Sequence, residues 1–97
     1  MRRVEFHPEA QNEFAFAARF YENQRQGLGL DFTLTIQWTY ERLVESPTAG
    51  APFGHRLRRV LVPKFPYGLL YRVEAERIYI IAVMHLHRRP GYWRSRL

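Results

Sequence analysis

The stretch richest in chemically reactive side chains is HLHRRPGYW, which runs from His85 to Trp93. His85 and His87 share one face if this stretch is a strand, because alternate residues of a strand point the same way. Such a pair could bind a metal or supply a general base. A metal site needs further ligands, however, and the sequence has no cysteine and no carboxylate close to the pair. We therefore predict neither a metal nor a cofactor, and histidines that are hydrogen-bonded at a strand end are the plainest interpretation.

The same stretch continues into two arginines, a Pro-Gly pair and two aromatic residues. Proline cannot donate to a strand ladder and glycine permits a turn, so the strand is expected to break at Pro90. We expect Tyr92 and Trp93 to fold back over the sheet, with stacking on a nucleic-acid base as the alternative. Arg88 and Arg89 are then either a solvated charge pair or a contact to DNA, to a target protein or to an acidic partner.

The chain carries a formal net charge of +6 and has a sequence pI near 10.3. Among its 15 basic residues only Lys64 is a lysine. The rigid fork of arginine suits phosphates and carboxylates, so this balance indicates a nucleic acid or an anionic protein as the partner. An arginine bias can equally reflect codon composition, and the charge alone does not choose between these explanations.

With 97 residues, the chain is predicted to form a single domain over residues 1–97. The absence of cysteine excludes disulfides and thiolate chemistry, and it fits a reducing compartment. No apolar run approaches the roughly 20 residues that a membrane-spanning helix needs, and the opening MRRVEFHPEA does not resemble a signal peptide. We expect a cytoplasmic protein with no membrane partner.

Hydropathy patterns divide the chain into a helical half and a strand half. RRVEF alternates as a half-buried strand does, and a helix is predicted to follow from Pro8 to about Asn23. The acidic residues of this helix are assigned mostly to its solvated face: Glu9, Glu13 and Glu22. A second apolar stripe, from Leu28 to Leu43, predicts a second helix that ends at a Ser-Pro pair, so the two helices form an αα-hairpin.

Three β-type runs follow a Pro/Gly-rich loop, with connections short enough for hairpins: Arg56–Val62, Phe65–Val73 and Arg77–His87. The last run is apolar on both faces and should be central, with one face made of Ile78, Ile80, Ala82 and Met84 and the other of Tyr79, Ile81 and Val83. The first strand should pair beside it or at an edge. The predicted fold class is α+β, in the order β-α-α-β-β-β, with the helices packed on one face of a four-stranded sheet.

Several motifs occur in this order along the chain. Helix one carries EA..EF..AA.FYE, helix two opens with GLG..F, and the strands carry RR.L...FPYGLLYRV and then I.I.AVMHLHRRPGYW. Together they cover nearly the whole chain and resemble the RelE/ParE superfamily of toxins from bacterial type II toxin-antitoxin, or plasmid stabilisation, systems. The resemblance is closer to ParE than to RelE.

This resemblance implies a compact basic toxin that a cognate antitoxin neutralises in a hetero-oligomeric complex. ParE-like members poison DNA gyrase, whereas RelE-like members cut messenger RNA on the ribosome. The tail is implicated in the toxicity of ParE-like relatives, which implies these target-binding residues here: Arg88, Arg89, Tyr92, Trp93 and Arg94. An antitoxin helix would lie in an apolar groove, for which the excess apolar positions are Leu28, Leu34, Trp38 and Phe53.

Cleavage of RNA through the 2′-hydroxyl needs a base, a cation at the phosphorane and an acid for the leaving oxygen. RelE-like members resemble one another in using lysines, arginines and a C-terminal tyrosine, but here Lys64 lies in a predicted turn and helix two has no lysine. A histidine-based substitute would consist of His85, Arg59, Arg72 and Tyr92. We predict a non-enzymatic, ParE-like gyrase inhibitor; the alternatives are a RelE-like ribosome-dependent mRNA endonuclease and a degenerate, non-toxic antitoxin-binding remnant.

Overall fold

The computed structural model describes residues 1–97 as two helices and a five-stranded sheet. The elements, in chain order, are β1 (Arg3–Phe6), α1 (Pro8–Gln24), α2 (Leu28–Glu45), β2 (Ala51–Pro52), β3 (Arg58–Leu61), β4 (Tyr67–Val73) and β5 (Arg77–His85), followed by one 3-10 turn at Arg94–Arg96. The strand order is β1-β5-β4-β3-β2, with β1 parallel to β5 and all other pairs antiparallel. The α+β class, the αα-hairpin and the antiparallel meander are confirmed.

The sheet has five strands, so the prediction of four was wrong. The additional strand, β2, lies inside the Pro/Gly-rich segment that was assigned to a loop, and it pairs Ala51 with Arg59 and Pro52 with Arg58. Proline is tolerated there because β2 is an edge strand and loses no interior hydrogen bond. β1 lies at the opposite edge and beside β5, as expected.

The αα-hairpin begins and turns where local chemistry favours it. A proline starts α1, and the His7 side chain accepts a hydrogen bond from the backbone N–H of Glu9 at 3.0 Å. At the turn, the Glu22 carboxylate accepts hydrogen bonds from the N–H groups of Gly27 and Gly29, at the positive end of α2. Glu22 therefore caps the second helix and does not simply face solvent.

Both helices pack on one face of the sheet, where 12 buried residues form the main core. Phe32 lies at its centre, with its ring centroid between 5.0 and 6.0 Å from those of Phe14, Tyr21, Phe65 and Tyr67. The opposite face carries a smaller cluster of six buried residues. Because both faces are covered, β5 is apolar on both sides. Neither helix is both long enough and apolar enough to cross a lipid bilayer.

A β-bulge in β5 changes which side chains share a face. β4 and β5 pair one-to-one except at Ile81, which is an extra residue of β5 with no partner of its own. Strict alternation therefore fails at this point: Val83 joins the main core, whereas Ile81 belongs to the cluster on the opposite face. The same shift brings His85 to the helix side, where its ring centroid is 5.1 Å from that of Tyr67.

Candidate target-binding site

The C-terminal tail, residues 86–97, folds back over the sheet after β5. Leu86 makes the last hydrogen bond of the ladder, to the carbonyl of the residue before β4. A turn follows, closed by a hydrogen bond from the N–H of Arg88 to the carbonyl of His85, and Gly91 then adopts a φ of +78°, which favours glycine. Strand β5 therefore ends at His85, two residues before its predicted end.

Two aromatic side chains hold the tail against the sheet. Trp93 is only 5% exposed, belongs to the smaller buried cluster and has its ring centroid 6.0 Å from that of Phe53. The Tyr92 ring lies beneath two guanidinium groups, with the Cζ atoms of Arg88 and Arg96 at 3.9 Å and 5.1 Å from its centroid. The expected folding back of the tail is confirmed. Because Trp93 is buried in this position, its ring is not accessible for stacking on a nucleic-acid base.

The Tyr92 hydroxyl is buried and has no hydrogen-bond partner of ordinary geometry. Burial raises the pKa of this phenol far above its usual range, and the nearby Glu13 carboxylate raises the pKa further because it opposes a second negative charge. A phenol in this position holds its proton and is shielded from solvent. It is therefore poorly placed to protonate a leaving group.

A largely buried ion pair joins the tail to α1. Arg96 donates two parallel hydrogen bonds to Glu13, each 2.9 Å long, and the side chains are 11% and 14% exposed, respectively. Burial lowers the pKa of the Arg96 guanidinium, but its hydrogen bonds and attraction to Glu13 outweigh burial and raise the pKa overall. The arginine therefore remains charged and bound to its carboxylate.

The same two side chains hydrogen-bond to backbone groups of β5 that have no neighbouring strand. β1 pairs with β5 only as far as Ile80, so the backbone groups after it lack a neighbouring strand. The Glu13 carboxylate accepts a hydrogen bond from the N–H of Val83, and the Arg96 guanidinium donates to the carbonyl of Ile81, each at 3.0 Å. The assignment of Glu13 to the solvated face of α1 was therefore wrong.

The sequence did contain a signal for a buried Glu13. Ala10 lies three residues before Glu13, and Ala17 lies four residues after it. Both alanines are buried, with exposures of 0% and 1%. At that spacing Glu13 belongs to the buried stripe of α1. A buried carboxylate needs a buried partner, but sequence spacing does not identify an arginine 83 residues away.

A basic groove of about 450 Å³ lies between the tail and the turn that joins β2 to β3. No aspartate or glutamate is among the residues that line it, and the basic residues that do are Arg59, Arg88, Arg89, Arg94, His55 and His85, the last with its ring turned to the helix side. None of the four arginines forms an ion pair within the protein. Two of them lie over aromatic rings, with the Cζ of Arg59 at 4.8 Å from the Phe53 centroid and that of Arg88 over Tyr92.

The turn between β2 and β3 has an unfavourable backbone conformation. Gly54, His55 and Arg56 have φ values of +80°, +51° and +61°, and the N–H of Leu57 donates to the carbonyl of Gly54 at 2.8 Å. The two central positions of such a turn favour asparagine and glycine. The His55 ring centroid lies 6.1 Å from that of Trp93, so the turn contacts the tail. His55 was not predictable from the sequence, because only the turn geometry brings it to the groove.

We expect Arg56→Gly to raise the free energy of unfolding by about 1 kcal/mol, because glycine adopts a positive φ without the steric cost that arginine bears there. Arg56 is exposed, so no buried contact is lost. Chemical denaturation would measure the change. Arg25→Gly is the matched control, since Arg25 has a φ of −160° and gains nothing from glycine. A fall in stability for Arg56→Gly would contradict the backbone argument.

The structure brings together the residues that the tail motif implied in target binding. All five line the basic groove: Arg88, Arg89, Tyr92, Trp93 and Arg94. Arg89 and Arg94 are exposed, while the two aromatic rings are largely covered. The arginines are therefore the members of this set that solvent and a partner can reach.

The four apolar residues predicted for antitoxin binding do not form one surface. Leu34 and Trp38 lie on the outer side of α2, 54% and 50% exposed, beside Pro63 in a shallow pocket. Leu28 packs against the main core, and Phe53 packs on the opposite side of the sheet. Only the first two are available as a continuous docking stripe.

One residue of the nuclease alternative is separated from the other three. His85, Arg59 and Tyr92 line the basic groove, but Arg72 does not. Arg72 hydrogen-bonds to Glu74 at 2.7 Å and lies five residues along β4 from the partner of His85, which is roughly 17 Å of strand. No group of three or more His, Asp or Glu side chains is placed to hold a metal ion.

A family model for the ParE toxin of the type II toxin-antitoxin system parDE matches residues 4–90. The chain belongs to the ParE toxin family. This ParE protein also resembles a solved structure described as the chromosomal ParDE TA system from P. aeruginosa, with a TM-score of 0.77 over 88% of this chain and 96% of that one. At 18% identity, that likeness shows the fold alone. No curated protein sequence matches the chain.

Proposed function

We propose that this ParE toxin inhibits DNA gyrase through its basic groove and that a cognate antitoxin neutralises it. The observation that carries the proposal is a groove with four arginines and no carboxylate, at the end of the sheet where the tail is anchored. Arginines without an internal partner keep their hydrogen-bonding capacity for an external anion. The ParE family belongs to a type II toxin-antitoxin system, which implies the antitoxin.

The site supports binding better than catalysis. A nuclease needs an acid as well as a cation within reach of the base. Arg59 lines the groove with His85, but the Tyr92 hydroxyl, which would be the acid, is buried, and Arg72 lies at the far end of β4. The groove instead offers several fixed positive charges, which suit a stable complex with an acidic or nucleic-acid-containing target. This favours the gyrase-inhibitor function over the ribosome-dependent mRNA endonuclease.

The exposed side of α2 fits the antitoxin. Leu30, Leu34 and Trp38 follow one another at intervals of four residues and are at least half exposed. Such a stripe can receive the apolar face of an amphipathic helix. It lies on the helical side, whereas the basic groove lies between the tail and the β2–β3 turn, so target binding and antitoxin binding use separate surfaces.

The test is a supercoiling assay with purified gyrase and relaxed plasmid, into which the folded toxin is titrated before its antitoxin is added. We expect loss of supercoiling with accumulation of cleaved DNA, and recovery when the antitoxin is in excess. The control is the same titration with toxin that was first mixed with antitoxin.

Normal supercoiling at saturating, folded toxin would refute gyrase as the target. Cleavage of messenger RNA by the toxin in a reconstituted ribosome assay would then establish the alternative function. Absence of both effects would indicate the non-toxic remnant.

A further inference from the structure

We propose that the basic groove binds the phosphodiester backbone of nucleic acid directly, and that its ligand in the gyrase complex is the duplex DNA. The choice of DNA rests on the proposed function, whereas the affinity for phosphodiesters does not. The proposal extends the site beyond the tail, since it assigns binding to Arg59 of β3 and to His55 of the β2–β3 turn.

The charge of the groove fits a polyanion. Arg59 comes from one wall and Arg88, Arg89 and Arg94 from the other, and no acidic residue lines either wall. Elsewhere in the protein Arg72, Arg77 and Arg96 pair with carboxylates, which would compete with a phosphate. The groove is therefore a site where positive charge is both concentrated and uncompensated, which is the electrostatic requirement for binding phosphates.

Two of the arginines are held in place before a ligand arrives. The guanidinium of Arg59 rests on Phe53 and that of Arg88 rests on Tyr92. Stacking leaves the N–H groups at the guanidinium edge free to donate to phosphate oxygens. Because these side chains are already ordered, less conformational entropy is lost when they bind.

The groove is poorly suited to a protein segment. Tight protein contacts depend on apolar and aromatic anchors that enter pockets, but here Phe53 and Tyr92 lie beneath arginines and Trp93 is buried. Among the large apolar residues that line the groove, only Leu86 is more than a third exposed, with an exposure of 41%. Phosphodiester binding needs no such anchor, because salt-dependent charge neutralisation supplies most of its affinity.

The unfavourable turn at the rim supports a binding role. His55 and Arg56 occupy left-handed backbone conformations that asparagine and glycine adopt at lower cost. Backbone strain of this kind is concentrated at ligand clamps and active sites. Here it places the His55 imidazole on the wall opposite Arg89 and Arg94, where it adds a hydrogen-bond donor.

The test is a fluorescence anisotropy titration of the whole toxin with labelled duplex DNA about two helical turns long, at a series of salt concentrations. The groove variant is Arg59→Ala with Arg94→Ala. The control is Arg25→Ala with Arg42→Ala, which removes the same charge from the helical side. We expect the slope of log affinity against log salt to become shallower by about 2 in the groove variant, since each lost phosphate contact contributes about 0.9.

The control variant is expected to retain the wild-type slope. Equal losses in the two variants, or no binding by the wild type at low salt, would overturn the proposal. Displacement of DNA by polyglutamate at the same charge concentration would also overturn it, because the groove would then recognise carboxylate-bearing proteins. Stronger binding to single-stranded RNA than to duplex DNA would support the phosphodiester site and assign it to RNA.

No gyrase is present in these binding titrations, so they test the groove independently of the proposed function. DNA binding without inhibition of supercoiling would refute the proposed function and leave the groove assignment standing, whereas inhibition without DNA binding would do the reverse.

Discussion

Arg88→Ala with Arg89→Ala is expected to abolish growth inhibition and to raise the toxin concentration needed for half-inhibition of gyrase by about 100-fold. That ratio corresponds to about 3 kcal/mol, a typical loss when two arginines at the centre of a contact are truncated. Both residues line the basic groove and neither has an internal carboxylate partner, so their binding capacity is directed outward. The fold is expected to persist, because neither side chain is buried.

Growth of cells that express the variant and supercoiling by purified gyrase would measure the effect. Arg25→Ala with Arg42→Ala provides the control with the same loss of charge, and its inhibition should stay close to that of the wild type. Affinity for the antitoxin should remain largely unchanged, since the groove and the pocket beside the exposed stripe of α2 have no residue in common. Loss of both antitoxin binding and toxicity would mean that these arginines serve the toxin-antitoxin complex.

Glu13→Ala is expected to lower the free energy of unfolding by about 3 kcal/mol and to release the tail. The substitution leaves the N–H of Val83 without its acceptor and the Arg96 guanidinium without its carboxylate, in a largely buried place. Arg96→Ala should cost less, about 1–2 kcal/mol, because Glu13 still accepts from the β5 backbone. Release of the tail would remove one wall of the basic groove, so inhibition of gyrase should weaken in both variants.

A double-mutant cycle of Glu13→Ala and Arg96→Ala, followed by denaturant unfolding, isolates the energy of the pair. We expect a coupling of about 1–2 kcal/mol, with the double variant close in stability to Glu13→Ala. Faster tryptic cleavage after Arg88 or Arg94, two exposed residues of the tail, would report its release. Glu9→Ala removes the same charge one turn earlier at an exposed position and should change stability by less than about 1 kcal/mol. Additive losses would show that the pair contributes no anchoring energy.

Element positions were largely predictable because local patterns dominate them. The proline at the start of α1 and the apolar period of both helices set their bounds to within about two residues. The two-sided apolar character of β5 correctly placed it inside the sheet. β2 escaped prediction because a two-residue edge strand has no hydropathy period, and a proline within it resembles a loop.

The candidate site was predictable only on its tail side. The RRPGYW motif and the residue after it identified Arg88, Arg89 and Arg94 as neighbours in sequence, and the structure brings them together in one groove. The opposite wall, with Arg59 and His55, comes from strands and a turn that precede the tail by about thirty residues. Sequence spacing carries no information on such a contact.

The residue types and their periodicity are sufficient to specify the αα-hairpin, the meander and the excess of arginine, because helix, strand and charge depend on neighbours a few residues apart. The faces of β5, the role of Glu13 and the shape of the groove required the tertiary structure. A single extra residue at Ile81 reverses the alternation that follows it, and it turns Val83 and His85 toward the helices. Glu13 finds its partner 83 residues away, where the buried edge of β5 leaves one N–H and one carbonyl to satisfy. Such long-range pairings follow from the burial of polar groups in the folded chain, and that burial is a property of the packed structure.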